Sequence, residues 1–247
     1  MQFQKQDLSL RQRITILVRT HIHFLCSEKT GKMKIAVSNV HIWCPPEENL
    51  REKPKLEFAD PLFKRRLSQI TRMTVQVLHD LVEECPAARE YKQVFVSFRG
   101  EIERDFTINR GIIQDGEILP AGFSLSVFNA PIAAATLCLK LKSGYSVIYP
   151  SKENFRDALY AAASPVLCGS EKNVVLVYAD EYVPDEYGAL QPAQNKPFAF
   201  ACVLGEGAGK DGTAVEIDGV ETVLDFVSRV KGKKNECLNI VKEKNWN

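Results

Sequence analysis

The chain has 247 residues, 32 Lys and Arg against 31 Asp and Glu, a net charge of +1, 45% hydrophobic residues and 26% charged ones. A single core at this length buries roughly 70–75% of the unfolded surface, so folding requires neither metal nor disulfide. The even charge balance excludes a global field for nucleic acid. No apolar run approaches the ~18–20 residues of a membrane span. Seven cysteines without a CxxC pair speak against a disulfide framework or zinc knuckle, and for a reducing, cytoplasmic setting.

Residues 1–32 are basic, and their apolar piece ITILV is followed by Arg19 and His21 with no small-residue cleavage site. A secretory signal fits poorly. We read them as a disordered basic extension or a mis-assigned start, with a membrane-surface helix as the alternative. The folded domain is placed at 33–247.

Lys34–Trp43 alternates Ile35, Val37, Val40 and Ile42 with polar residues and predicts a strand. A proline-rich loop follows. Phe63, Leu67, Ile70, Thr74, Val77 and Leu81 recur at helical spacing over Leu62–Cys85, and Pro86 ends that helix. Gln93–Phe98 is a buried strand, Glu103–Gln114 a short helix, and Gly116–Ser126 irregular. Asn129–Lys142 reads as an interior helix, because it is apolar on nearly every side; Asn129 can cap it and Pro131 fits its first turn. Tyr145–Tyr149 is a strand and Ser151–Ala163 a helix. Asn173–Ala179 is continuously apolar, as in a sheet covered on both faces. Phe198–Leu204 and Thr213–Ile217 form a late hairpin, and Val220–Val230 closes the chain as an amphipathic helix. Strands alternating with helices make this a layered α/β fold.

Gly207–Gly212 matches GxGxxG, but TAVEI follows it where a dinucleotide site needs a helix, so a glycine-rich hairpin turn is the preferred reading. His21, His23, His41 and His79 stand away from strand-end loops, although a Cys–His or Ser–His pair can form in space. Asp180, Glu181, Asp185 and Glu186 follow a strand's carboxyl end. They suit a metal or acid–base chemistry, or, as we prefer, a turn held by hydrogen bonds to backbone amides. Lys64-Arg65-Arg66 can dock an acidic partner or form a solvated helix start. The stretch Tyr145–Leu159 is a strand, a sharp Pro-Ser turn and a helix. Such an elbow suits a nucleophile at the positive end of the helix dipole, yet it offers Lys152 and Glu153 behind Ser151, which reads as a cap.

The ordered phrases Arg65-Arg66-Leu67-Ser68, Thr71-Arg72-Met73, VFVSFRGE, FSLSVFNAP, the elbow and VVLVYADE resemble the β-ketoacyl synthase family. They are most similar to its short branch of chain length factors, as in aryl polyene and type II polyketide clusters. The resemblance runs from about Met33 to Val230. Phe128 departs from the histidine usual in the corresponding phrase.

The resemblance implies a thiolase-like fold, present as a single N-terminal-type half: a layered α/β/α arrangement with a mixed sheet. In active members a cysteine occupies the elbow and two histidines come from the second half. Here the elbow position falls on Lys152 or Glu153, and no residue takes the catalytic role. The expectation is a non-catalytic subunit that pairs with a full-length ketosynthase and shapes the tunnel for an acyl or polyene chain carried by an acyl carrier protein. Phe128, Asn129, Tyr145, Tyr149 and Phe155 would line the tunnel or the interface, with Tyr145–Tyr149 as the interface strand. No metal or nucleotide cofactor is implied. The alternatives are a stand-alone acyltransferase or condensing enzyme using Cys138 or Cys168, and a binding scaffold unrelated to acyl chains.

Overall fold

A computed structural model describes residues 33–116, 120–151, 154–188, 195–206 and 212–230. The expected basic extension 1–32, the pair Lys152 and Glu153, and Gly207–Asp211 of the glycine-rich loop lie outside the described residues.

Six strands form one mixed sheet: β1 (Lys34–Trp43), β2 (Lys92–Val96), β3 (Tyr145–Ile148), β4 (Asn173–Asp180), β5 (Phe198–Gly205) and β6 (Thr213–Glu216). Their order is β3-β2-β4-β5-β1-β6. β2 runs parallel to β3 and β4, and β5 antiparallel to β4 and β1. β6 pairs antiparallel with the other side of β1. The expected hairpin is therefore absent. β5 and β6 flank β1, because the N-terminal strand inserts between them; alternation marks both as strands but says nothing of who pairs with whom.

Alternation along the central strands divides the core. Val174, Leu176 and Tyr178 of β4, with Phe198, Phe200, Cys202 and Leu204 of β5, face α6 (Phe155–Leu167) and α7 (Val223–Arg229). The intervening Val175, Val177, Ala179, Ala199, Ala201 and Val203 face α2 (Gln69–Glu84) and α5 (Ala130–Leu139). Small alanines let α2 lie close to the sheet, whereas the opposite layer is filled by aromatic rings. The result is the layered α/β/α arrangement with a mixed sheet that the resemblance implied.

Helix boundaries follow local capping. The expected helix over Leu62–Cys85 is two. Asp60 accepts hydrogen bonds from the Leu62 and Phe63 amides and starts α1 (Pro61–Arg65). Ser68, in extended conformation, then accepts from the Thr71 amide and starts α2. An N-cap side chain satisfies amides that have no intrahelical partner, so a strong cap can restart a helix inside a periodic run. α3 (Ile102–Asp115) and a short α4 (Pro120–Phe123) come next. α5 buries six of its ten residues, but Leu137 is 77% exposed, so this helix is interior on one side only. α6 starts at Phe155 rather than Ser151, because Asn154 is the residue whose side chain caps it, accepting from the Asp157 amide.

Candidate functional site

The strand–turn–helix elbow lies at one edge of the sheet. β3 has β2 on one side and no strand on the other among the described residues. Gln93 N donates to Gly144 O and Ser97 N to Ile148 O. In a parallel ladder this leaves the amides of the alternating residues Tyr145 and Val147 directed at the open edge. Ser151 follows as an exposed turn residue.

Beside this edge the structure brings four of the sequence-named residues together. The rings of Phe128 and Tyr149 lie 4.4 Å apart, and Asn129 Nδ2 donates to Tyr145 Oη at 3.2 Å. Asn129 stands before α5 as expected, yet its side chain reaches β3 and makes no cap bond. Phe128, Tyr145 and Tyr149 are 45%, 39% and 54% exposed. Phe155 does not join them. It is fully buried against Tyr178, Phe200 and Phe226, where the cap at Asn154 turns the first helical residue into the core.

Two residues that sequence reasoning passed over support the cluster. Gly100 has φ of +61°, and a Cβ there would stand 2.7 Å from the Phe128 ring, so only glycine fits. Its turn is held by Ser97 Oγ, which accepts from Gly100 N at 2.8 Å and donates to Asp180 at 2.7 Å. Asp180 also accepts from the Phe98 and Arg99 amides, each at 3.1 Å, and from Tyr178 Oη at 2.7 Å. The run Ser-Phe-Arg-Gly directly after a strand was the available signal.

Glu181 is likewise a structural carboxylate. It accepts from Ile70 N at 3.2 Å and Glu103 N at 3.1 Å. Burial, then the Glu101 charge, pushes its carboxyl up to about 8. Burial also raises Asp180. Asp185 pairs with Arg51 and accepts from Tyr182 Oη at 2.6 Å. These contacts fulfil the backbone-amide reading preferred for Asp180 and Glu181. Among the described residues no group of three or more His, Cys, Asp or Glu is placed to hold a metal ion.

Next to Asn129 a groove of about 570 Å³ runs between α1 and α5, lined chiefly by Leu62, Phe63, Leu125, Val127, Ala133 and Leu137. Arg66 lies at its rim, while Lys64 is turned back onto the Lys55 and Leu56 carbonyls. The basic run is thus partly spent on its own chain.

Cys138 and Cys168 differ. Burial raises the Cys138 thiol. Cys168 is exposed after α6, and hydrogen bonding with Ser170 lowers its thiol. Cys44 is disulfide-bonded; count and spacing test for a framework and are blind to a single bridge. Among the described residues no helix is long and apolar enough to cross a membrane.

The beta-ketoacyl synthase N-terminal domain model matches residues 41–241. No curated protein matches in sequence. Among solved structures, the ketosynthase ApeO in complex with its chain length factor ApeC from Xenorhabdus doucetiae is similar at TM-score 0.58 and 22% identity, over 72% of this chain and 81% of that one. The ishigamide ketosynthase/chain length factor aligns at TM-score 0.48 and 12% identity, over 61% of this chain and 47% of that one. A beta-ketoacyl synthase from Burkholderia phymatum aligns at TM-score 0.47 and 10% identity, over 71% and 58%. The chain thus spans about half the length of the latter two. The fold is thiolase-like, and the chain belongs to the beta-ketoacyl synthase N-terminal domain family.

Proposed function

We propose that this chain is a non-catalytic chain length factor. It pairs with a full-length, cysteine-bearing ketosynthase and shapes the tunnel for an acyl or polyene chain delivered by an acyl carrier protein. The partner performs the decarboxylative Claisen condensation. The single observation that carries this reading is the elbow. It sits on an open sheet edge beside exposed Phe128, Tyr145 and Tyr149, and no cysteine stands between Cys138 and Cys168 to serve as its nucleophile. An unpaired strand edge next to aromatic surface favours a partner strand. The likeness to a structure that holds a ketosynthase with its chain length factor supports the same pairing. Phe128, Asn129, Tyr145 and Tyr149 are then the lining and interface residues, and Phe155 stabilises the core behind them.

Co-expression with a ketosynthase from the same genome, followed by size-exclusion chromatography, tests the pairing. A stable one-to-one complex is expected, with products that lengthen when Phe128 is replaced by Ala. Separate elution of the two chains would end the proposal.

One observation favours a second reading, a stand-alone cysteine-dependent acyltransferase. Cys168 is exposed with a lowered thiol, and a cleft of about 410 Å³ bounded by Lys34, Ile35, Gly205 and Glu206 lies beside it. Stoichiometric acylation of the purified chain by a thioester probe, abolished by Cys168→Ala, would select this reading over the first.

A further inference from the structure

α3 is fastened to the molecule unlike the other long helices described. α2 buries ten residues and α6 buries six. α3 buries none of its fourteen, and Ile113 near its end is 83% exposed. Apolar burial is what normally gives a segment its resistance to local opening.

What holds α3 is polar and gathered at its root. Glu101, just before the helix, is 1% exposed. It accepts from Ser68 Oγ at 2.7 Å and from Thr71 Oγ1, and pairs with Arg104 Nε at 3.0 Å. Buried Glu181 accepts from the amides of both Ile70 and Glu103, so one carboxylate bridges the first turns of α2 and α3. Arg104 Nη2 also donates to the Arg66 carbonyl at 3.0 Å. Arg51 stands 3.4 Å from Glu103, and the Phe106 ring meets Tyr187 at 5.3 Å. Towards the far end, Gly116 turns the chain at φ of +70°.

We propose that α3 is a hinged arm, latched at its root by the buried carboxylates Glu101 and Glu181, that opens as a unit while the sheet stays folded. The arm carries Ile112, Ile113 and the adjoining Phe123 as exposed apolar groups, so its movement changes the apolar surface the molecule presents. Each latch carboxyl is buried with its hydrogen-bond donors, and losing those donors leaves buried polar atoms unsatisfied. The latch is therefore two-position rather than yielding.

Hydrogen exchange on the isolated chain reads this directly, with protection factors corrected for intrinsic rates, so it is independent of the pairing proposal. Amides of 105–115 should exchange at least about a hundredfold faster than those of 77–84 in α2. Glu181→Gln keeps the side chain's size but offers one acceptor to two amides. It should lower α3 protection by roughly a further tenfold and leave β4 and β5 unchanged. Equal protection in α2 and α3 overturns the arm. So does a variant that loosens helix and sheet alike. Should Glu181→Gln not fold, Phe106→Ala takes its place: α3 must loosen while the sheet does not, and an unchanged α3 counts against the arm.

Discussion

Glu181 shows how a single buried side chain can set a property of the whole fold. Burial, and then the neighbouring Glu101, outweigh the two amide bonds that favour its charge and push its carboxyl up to about 8. A carboxyl raised in this way holds its proton more tightly folded than unfolded. Its stabilisation is full below the ordinary glutamate value and is lost as pH rises through about 8. Asp180, raised by burial, acts in the same direction. The thermal midpoint should therefore fall between about pH 5 and pH 8, and Glu181→Gln should flatten that decline. A midpoint that climbs over the same interval would contradict it. Gly100 makes a second case. Gly100→Ala puts a Cβ into the Phe128 ring in a backbone conformation that L-residues avoid. A loss of about 1–3 kcal/mol is expected in urea denaturation. Adding Phe128→Ala should recover only the steric part, since the backbone strain persists.

Among the elements, α6 and β3 part company although they adjoin in sequence. α6 is anchored by Phe155, which meets three aromatic rings and has no exposed surface. Phe155→Ala should cost about 3–5 kcal/mol of stability, read as a lowered denaturation midpoint, because the surrounding rings cannot close the cavity. β3 is short and exposed at its open side, so its value lies in its unpaired amides. Val147→Pro removes the outward N–H while leaving those that face β2. A monomer with its far-UV spectrum retained and its ketosynthase binding abolished is expected. Undiminished binding would show that the edge is not the contact.

At the level of the molecule, several exposed apolar residues border the groove between α1 and α5. Leu62 and Leu137 flank the groove beside Asn129, and both are more than 70% exposed. Leu62→Lys and Leu137→Lys should change stability by less than about 0.5 kcal/mol, as surface replacements do. Together they should weaken ketosynthase binding at least about tenfold in a titration if this side is the interface. Unaltered affinity would move the interface elsewhere. Cys168, on the other side of the sheet, should be alkylated equally in the free and paired chain under the chain-length-factor reading.

Local order along the chain was enough for the strands, the helix ends at Pro86 and the layered class, because period, breakers and composition act within a few residues. It was enough, too, to name Phe128, Asn129, Tyr145 and Tyr149, whose side chains the fold brings together. The split at Ser68 was legible only as a cap competing with an apolar period, and the cap won. Strand partnership could not be read: β5 and β6 look like a hairpin until β1 is seen between them, since hydrogen bonding across a sheet leaves no trace in the side-chain period. Phe155 was expected at the tunnel or interface, and only packing against Tyr178, Phe200 and Phe226 placed it in the core. The same holds for Glu101 and Glu181, eighty residues apart in the chain, whose meeting at two helix starts exists only once the chain has folded.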